Sequence, residues 1–203
     1  MKSIINAKNA LALLFLMPIL TSAISIAMPH EVDYKIPTVI KLVSYLIIGL
    51  SSLYLACTKN EFITNGKQKI GLYIISFYYV IYEALITRLS YLISKGDIIY
   101  NFISKICTDE TMQIKYTILT STFFALICII AFLMFFWGIP TKKSTKWLLS
   151  ILFLIPIITT NITPFFIENM EFNKILNKTI DIACSGLMLF LVTKAYKTKI
   201  NID

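Results

Sequence analysis

The chain has 203 residues, of which 57% are hydrophobic and only 15% are charged, and its formal net charge is +8. This composition excludes an ordinary soluble domain. The lysines lie in loops beside long apolar segments, where they orient a membrane protein, so we expect no nucleic-acid binding despite the basic charge.

The apolar residues form long uninterrupted segments, which predict transmembrane helices; a membrane barrel shows short alternating segments instead. We therefore expect an all-α integral membrane protein, with residues 1–203 forming a single six-helix transmembrane domain. The predicted spans cover residues 10–28, 37–57, 70–93, 116–138, 147–167 and 175–193.

The first apolar segment follows a basic N-terminus and ends near small residues, as a secretory signal peptide does. Its 19 residues are more than a signal-peptide core uses, and we expect it to be retained as a helix.

The third span contains two charged residues, Glu83 and Arg88. Charges are costly in lipid, so both should face protein or water. Thr87 and Ser90 share the Glu83 face of an α-helix, four and seven residues further on. Glu83 and Arg88 themselves lie about 140° apart on such a helix, too far round to pair. We expect cross-helix pairs instead, Arg88 with Asp181 and Glu83 with Lys41.

A short amphipathic helix is predicted between the third and fourth spans. Apolar residues recur at helical spacing over 98–106, and Asp97 is a suitable N-cap. This segment is too short to cross a bilayer, which favours a helix at the membrane interface.

The distribution of lysines predicts the orientation of the bundle. With six spans, eleven lysines lie on the side of both termini and six in the opposite loops. The positive-inside rule then places both termini in the cytoplasm, and we expect a multi-pass protein of the bacterial cell inner membrane.

In this orientation most polar residues within the spans fall in the outer half of the bilayer. Proline residues 156 and 164 also predict an interrupted second half of the fifth span, which is either buried in protein or lines a wet cavity. Two interpretations stay open, a vestibule for a ligand and a set of polar contacts that fix helix register. The candidate site comprises Glu83, Arg88, Asp181, Lys41, Asn161, Thr87 and Ser90.

No catalytic, metal or cofactor motif is present. The four cysteines and single histidine lack the spacing of metal ligands, so we expect no metal and no cofactor. The spacing of Glu83 and Arg88 is similar to the EExxxR motif of CAAX-type membrane proteases. Ala84 replaces the second glutamate, however, and no histidine follows, so we expect that the protein is not an enzyme.

Two functions fit this pattern. The small, lysine-rich, polytopic layout resembles that of immunity proteins against pore-forming bacteriocins, although no motif is shared. Recognition within the lipid bilayer, of a pore-forming toxin or of a membrane protein in an assembly, is the first hypothesis. The alternative is a small permease, or the substrate-binding subunit of a transporter, with an outward-facing polar cavity. A charged cavity of ligand size would favour the alternative, whereas the presence of only six glycines counts against it.

Overall fold

The computed structural model describes residues 6–28, 35–60, 62–63, 65–94, 98–167 and 169–200 of the chain. Nearly all of these residues are helical, and no strand occurs among them. The α-helices are α1 (Ala7–Ala27), α2 (Lys35–Cys57), α3 (Gly66–Phe77), α4 (Ser90–Ser94), α5 (Ile98–Ile106), α6 (Glu110–Gly138), α7 (Lys143–Ile162) and α8 (Met170–Ile200). A π-helix, Tyr78–Leu89, joins α3 to α4, and a 3-10 turn, Thr163–Phe165, follows α7.

Six helices in the described part of the chain are long and apolar enough to cross a membrane, which confirms the predicted number. Each of these helices begins two to six residues before the apolar segment from which the sequence predicts it. The fourth, predicted from residue 116, begins at Glu110 because the Asp109 carboxylate caps it, accepting from the Thr111 amide at 2.9 Å. We number them as spans 1 to 6: Ala7–Ala27, Lys35–Cys57, Gly66–Ile93, Glu110–Gly138, Lys143–Phe165 and Met170–Lys197.

The six spans form a closed ring. Each span packs against the next one along the chain, and span 6 packs against span 1. This order follows from the short connections, which leave consecutive helices as antiparallel neighbours. The ring encloses a central space, and each of the six spans contributes side chains to its walls.

Span 3 is not the continuous α-helix that the sequence predicts, because its twelve residues Tyr78–Leu89 are π-helical. The hydroxyl of Thr87 donates to the carbonyl of Tyr82, five residues earlier, at 2.8 Å. Hydrogen bonding from i to i+5 aligns residues five apart, whereas an α-helix aligns those three and four apart. π-Helical turns are rare and often occur at functional sites.

One end of the ring is filled by aromatic side chains and closed by the loop between spans 2 and 3. The Tyr196 hydroxyl of α8 donates to the carbonyl of Phe62 in this loop at 2.5 Å, and the fully buried Gln68 amide reaches Tyr196 at 3.5 Å. These contacts tie α8 to the loop at the end of the ring that the predicted orientation places in the cytoplasm. The aromatic layer above them comprises Phe15, Phe132, Phe135, Phe136 and Phe153.

A short helix is present between spans 3 and 4, where the sequence predicts one. This helix, α5, packs against α6, and its Phe102 and Ile106 side chains are exposed. The predicted N-cap Asp97 lies outside the described residues.

Span 5 is less interrupted than the sequence predicts. Helix α7 continues through Pro156 to Ile162, and only then does the 3-10 turn with Pro164 begin. Pro156 removes one backbone donor, a loss that the remaining hydrogen bonds of a long helix tolerate in a membrane bundle. The expected break in the second half is therefore confined to its end.

Candidate functional site

A cavity of about 470 Å³ lies inside the ring, and all six spans contribute side chains to its lining. Its volume is in the range of pockets that bind small molecules. The charged and small hydroxyl residues of the lining come mainly from three elements: Ser22 and Ser25 of α1, Lys41 of α2, and Lys178, Asp181 and Ser185 of α8. The π-helix adds Arg88.

The lining changes from charged to apolar along the axis of the ring. In α2, Ile48 lies two helical turns beyond Lys41, and in α8, Met188 lies nearly three turns beyond Lys178. At 1.5 Å per residue these separations give a cavity about 10–15 Å deep. Its apolar end meets the aromatic layer at Phe132.

The charged end of the cavity has more cations than anions. Lys41, Arg88 and Lys178 line it, together with a single carboxylate, Asp181. The buried Ser22 hydroxyl donates a short hydrogen bond to that carboxylate. Within the described part of the chain, neither lysine forms an ion pair. The arrangement favours anionic over cationic solutes.

Arg88 pairs with Glu83, and the expectation that these two residues are poorly placed to pair is wrong. Their Nη2 and Oε2 atoms are 3.8 Å apart. The π-helix is the physical reason, since it brings residues five apart to one face. The same spacing lets the Tyr78 hydroxyl donate to Glu83 Oε1 at 2.8 Å. The Arg88 guanidinium also lies 5.8 Å from the centre of the Tyr45 ring, within cation–π range.

The cross-helix pairs expected from the sequence, Arg88 with Asp181 and Glu83 with Lys41, do not form among the described residues. The partners of the two carboxylates are Ser22 for Asp181 and Tyr78 with Arg88 for Glu83. Local π-helical geometry thus supplies both partners of Glu83 from its own span, and of its two carboxylate oxygens only Oε1 accepts a hydrogen bond in the described part of the chain.

The remaining candidate residues are placed differently. Thr87 bonds to the backbone of its own π-helix, and Ser90 is buried at the start of α4. Asn161 is exposed, and its amide donates to the Ile157 carbonyl at 2.6 Å. None of these three residues belongs to the cavity lining, whereas Lys41, Arg88 and Asp181 do.

The candidate site from the sequence missed Lys178, Ser22 and Tyr45. Lys178 precedes Asp181 by three residues, a spacing that places both on one face of a helix. That spacing was the available signal. Nothing in the sequence indicates that Tyr45 lies beside Arg88, because this contact joins two different spans.

No group of three potential metal ligands (His, Cys, Asp or Glu) comes together in the described residues. The lining of the cavity combines cations, one carboxylate, hydroxyls and aromatic rings. Comparison with known proteins returns no match, since no family model, no characterised protein and no solved structure is significantly similar to this chain.

Proposed function

We propose that this protein binds a small solute inside its ring of spans, as a small permease or as the substrate-binding subunit of a transporter. The observation that carries this proposal is the charged cavity of about 470 Å³. A protein that only recognises a partner through its surface has no need of such a space, and filling it with side chains would stabilise the bundle. The chemistry of the lining supports binding without catalysis, so we propose no enzymatic activity.

Cysteine labelling tests whether the cavity is open to water outside the cell. Ser25 lines the cavity and is half-buried, whereas Thr122 of α6 is exposed on the outer surface of the ring. In a variant without the four native cysteines, a membrane-impermeant thiol reagent should label Ser25→Cys in intact cells. It should not label Thr122→Cys, which faces lipid. Absence of labelling at Ser25→Cys, with labelling of Thr108→Cys in the exposed loop as the positive control, would reject the open cavity.

Recognition within the bilayer is the second candidate function, in which the protein is an immunity-type protein or an assembly partner. It is favoured by the outer faces of spans 4 and 5. These two spans are the least buried of the six, with only 22% and 17% of their most apolar segments buried inside the ring. A membrane-embedded toxin or protein subunit could pack there. This candidate predicts that a pore-forming toxin spares cells producing the protein, and that Arg88→Gln leaves the protection intact.

We further propose that the protein resides in a bacterial inner membrane with both termini in the cytoplasm. The excess of lysines on the side of the termini supports this orientation. The charged end of the cavity then faces outwards, because its charged residues in spans 2, 3 and 6 lie near the ends of these spans that join the outer loops. In this orientation α5 lies at the outer interface, with its exposed Phe102 and Ile106 directed into the lipid.

A further inference from the structure

We propose that the charged end of the cavity binds the carboxylate or phosphate group of a small amphiphilic anion, an inference that rests on the proposed solute-binding function. Three cations face one carboxylate in the lining. Counting Glu83 as the partner of Arg88 still leaves positive charge in excess. An anion that enters this end is therefore attracted, whereas an amine is repelled.

Arg88 has the donors that an oxyanion needs. A guanidinium carries five N–H groups in a planar fork that matches a carboxylate or phosphate. At 3.8 Å, Glu83 is an ion-pair partner of Arg88, too distant for a hydrogen bond. The Arg88 Nε–H is buried and has no hydrogen-bond partner in the described part of the chain.

Glu83 acts as a positioning residue for Arg88. It is itself fixed by the hydrogen bond from Tyr78, and together with the Tyr45 ring it confines the guanidinium on two sides. The side chain is thereby ordered before a ligand arrives, which lowers the entropic cost of binding.

The carboxylate of Asp181 does not give the charged end of the cavity a net negative charge, so it does not make the site selective for cations. Its carboxylate accepts a hydrogen bond from Ser22, and the Lys178 side chain lies on the same face of α8. Asp181 therefore offsets Lys178, Glu83 offsets Arg88, and the charge of Lys41 remains in excess.

The opposite end of the cavity selects the rest of the ligand. Its lining is apolar or aromatic and contains Leu14, Ile48, Phe132 and Met188. At a depth of about 10–15 Å the cavity accommodates a head group and a short apolar or aromatic body. Two sources offer this chemistry, a soluble organic anion and the head group of an anionic lipid.

Thermal unfolding of the full chain in an uncharged detergent tests the charge preference with three compounds of matched size. The probes are 3-phenylpropionate, its neutral amide and the corresponding amine, 3-phenylpropylamine. We expect 3-phenylpropionate to raise the Tm of the protein in a saturable manner, and the amide and amine to leave it unchanged. Stabilisation by the amine or the amide equal to that by the carboxylate would overturn the inference.

Variants show whether the effect arises at this site. The double variant Glu83→Gln/Arg88→Gln removes both charges of the ion pair and leaves no unpaired ion, and Lys178→Gln removes a second cation. Each should weaken binding of 3-phenylpropionate at least tenfold, while Lys142→Gln, exposed at the other end of the ring, should not. Arg88→Lys should also weaken binding, because an ammonium lacks the planar fork. Unchanged affinity in both the double variant and Lys178→Gln would place the bound anion elsewhere and refute the proposal.

Lipid nanodiscs distinguish the two sources of the anion. If the ligand is a lipid head group, phosphatidylglycerol in the nanodisc should raise the Tm above that in phosphatidylcholine and compete with 3-phenylpropionate. If it is a soluble anion, the two lipids should give the same Tm, and 3-phenylpropionate should act in both. Either result supports the anion site, provided that the stabilisation disappears in the Glu83→Gln/Arg88→Gln variant.

The Ser25→Cys variant separates failure of this inference from failure of the proposed function. With rates normalised to those of a free thiol in solution, an anionic thiol reagent should react at Ser25→Cys several-fold faster than a cationic one. Faster reaction of the cationic reagent would overturn the anion preference. Labelling of Ser25→Cys without any change in Tm on addition of 3-phenylpropionate or phosphatidylglycerol would do the same. In both cases the proposal of an open cavity would remain supported. No labelling by any reagent overturns the proposed function itself.

Discussion

At the level of single residues, Glu83 combines a location in the middle of a span with two partners on its own helix. Tyr78 donates to one of its carboxylate oxygens, and Arg88 lies beside the other. Only 17% of the Glu83 side chain is exposed, so the cost of burying its charge must be offset by these partners. Loss of the carboxylate would leave Tyr78 without its hydrogen-bond acceptor and Arg88 without its counter-charge.

We expect Glu83→Leu to lower the free energy of unfolding by about 1–3 kcal/mol, because a half-buried phenol and a guanidinium lose their partner. Glu83→Gln should cost less, since the amide oxygen still accepts from Tyr78. The measurement is a thermal or denaturant unfolding series on the purified variants in detergent. Glu110→Leu, at an exposed position, serves as the matched control and should stay within about 0.5 kcal/mol of the wild type.

A double-mutant cycle with Arg88→Leu adds a test of the geometry. A π-helical pair five residues apart should show a coupling of about 0.5–3 kcal/mol. Additive effects of the two substitutions would mean that Glu83 and Arg88 do not interact. That result would contradict the π-helix and favour a regular α-helix in span 3.

At the level of elements, glycine determines how closely two pairs of helices approach. A Cβ on Gly71 of α3 would lie 2.6 Å from the Ala131 carbonyl of α6. A Cβ on Gly49 of α2 would lie 2.4 Å from the Val80 side chain of the π-helix. Small residues at such contacts let helix backbones pack closely in membranes. The two glycines therefore hold spans 2 and 4 against span 3.

Gly71→Ala should destabilise the bundle by about 1–3 kcal/mol, because a backbone carbonyl cannot move aside as a flexible side chain can. Gly186→Ala in α8 is the matched control, since nothing lies within 4 Å of the added Cβ. That substitution should stabilise the protein by about 0.5–1 kcal/mol through helix propensity. Both effects are read from the shift in Tm, and equal shifts for the two variants would contradict close packing at Gly71.

At the level of the whole molecule, the ring has one polar end and one aromatic end. The cations of the cavity lie towards the connections after spans 1, 3 and 5, and the Tyr196–Phe62 contact lies on the side of the termini. The two ends of the ring therefore differ, and the distribution of lysines predicts which end faces the cytoplasm.

Reporter fusions test that direction. Fusions after Lys69 and Lys146 should report the cytoplasm, because these loops carry the excess of lysines. Fusions within 98–110 and 169–173 should report the outside. A cytoplasmic signal from the 98–110 fusion would refute the proposed orientation. Cytoplasmic signals from all fusions would indicate that spans 3, 4 and 5 do not cross the membrane.

The sequence by itself determined the number of spans, their approximate limits and the presence of a short helix before span 4. These properties depend on local composition, since a segment of about 20 apolar residues has no other stable state than a helix in lipid. It also marked Lys41, Arg88 and Asp181, because charges within apolar segments are rare.

Only the tertiary structure decided the partners of these charges. The pairing of Glu83 with Arg88 depends on a π-helix whose register no α-helical pattern predicts, and the contact of Ser22 with Asp181 joins the first span to the last. Asn161 was indistinguishable from the cavity residues in the sequence, yet it lies outside the cavity lining. The physical reason is that composition fixes how each segment meets lipid, whereas the rotation of each helix about its axis is set by packing against its neighbours.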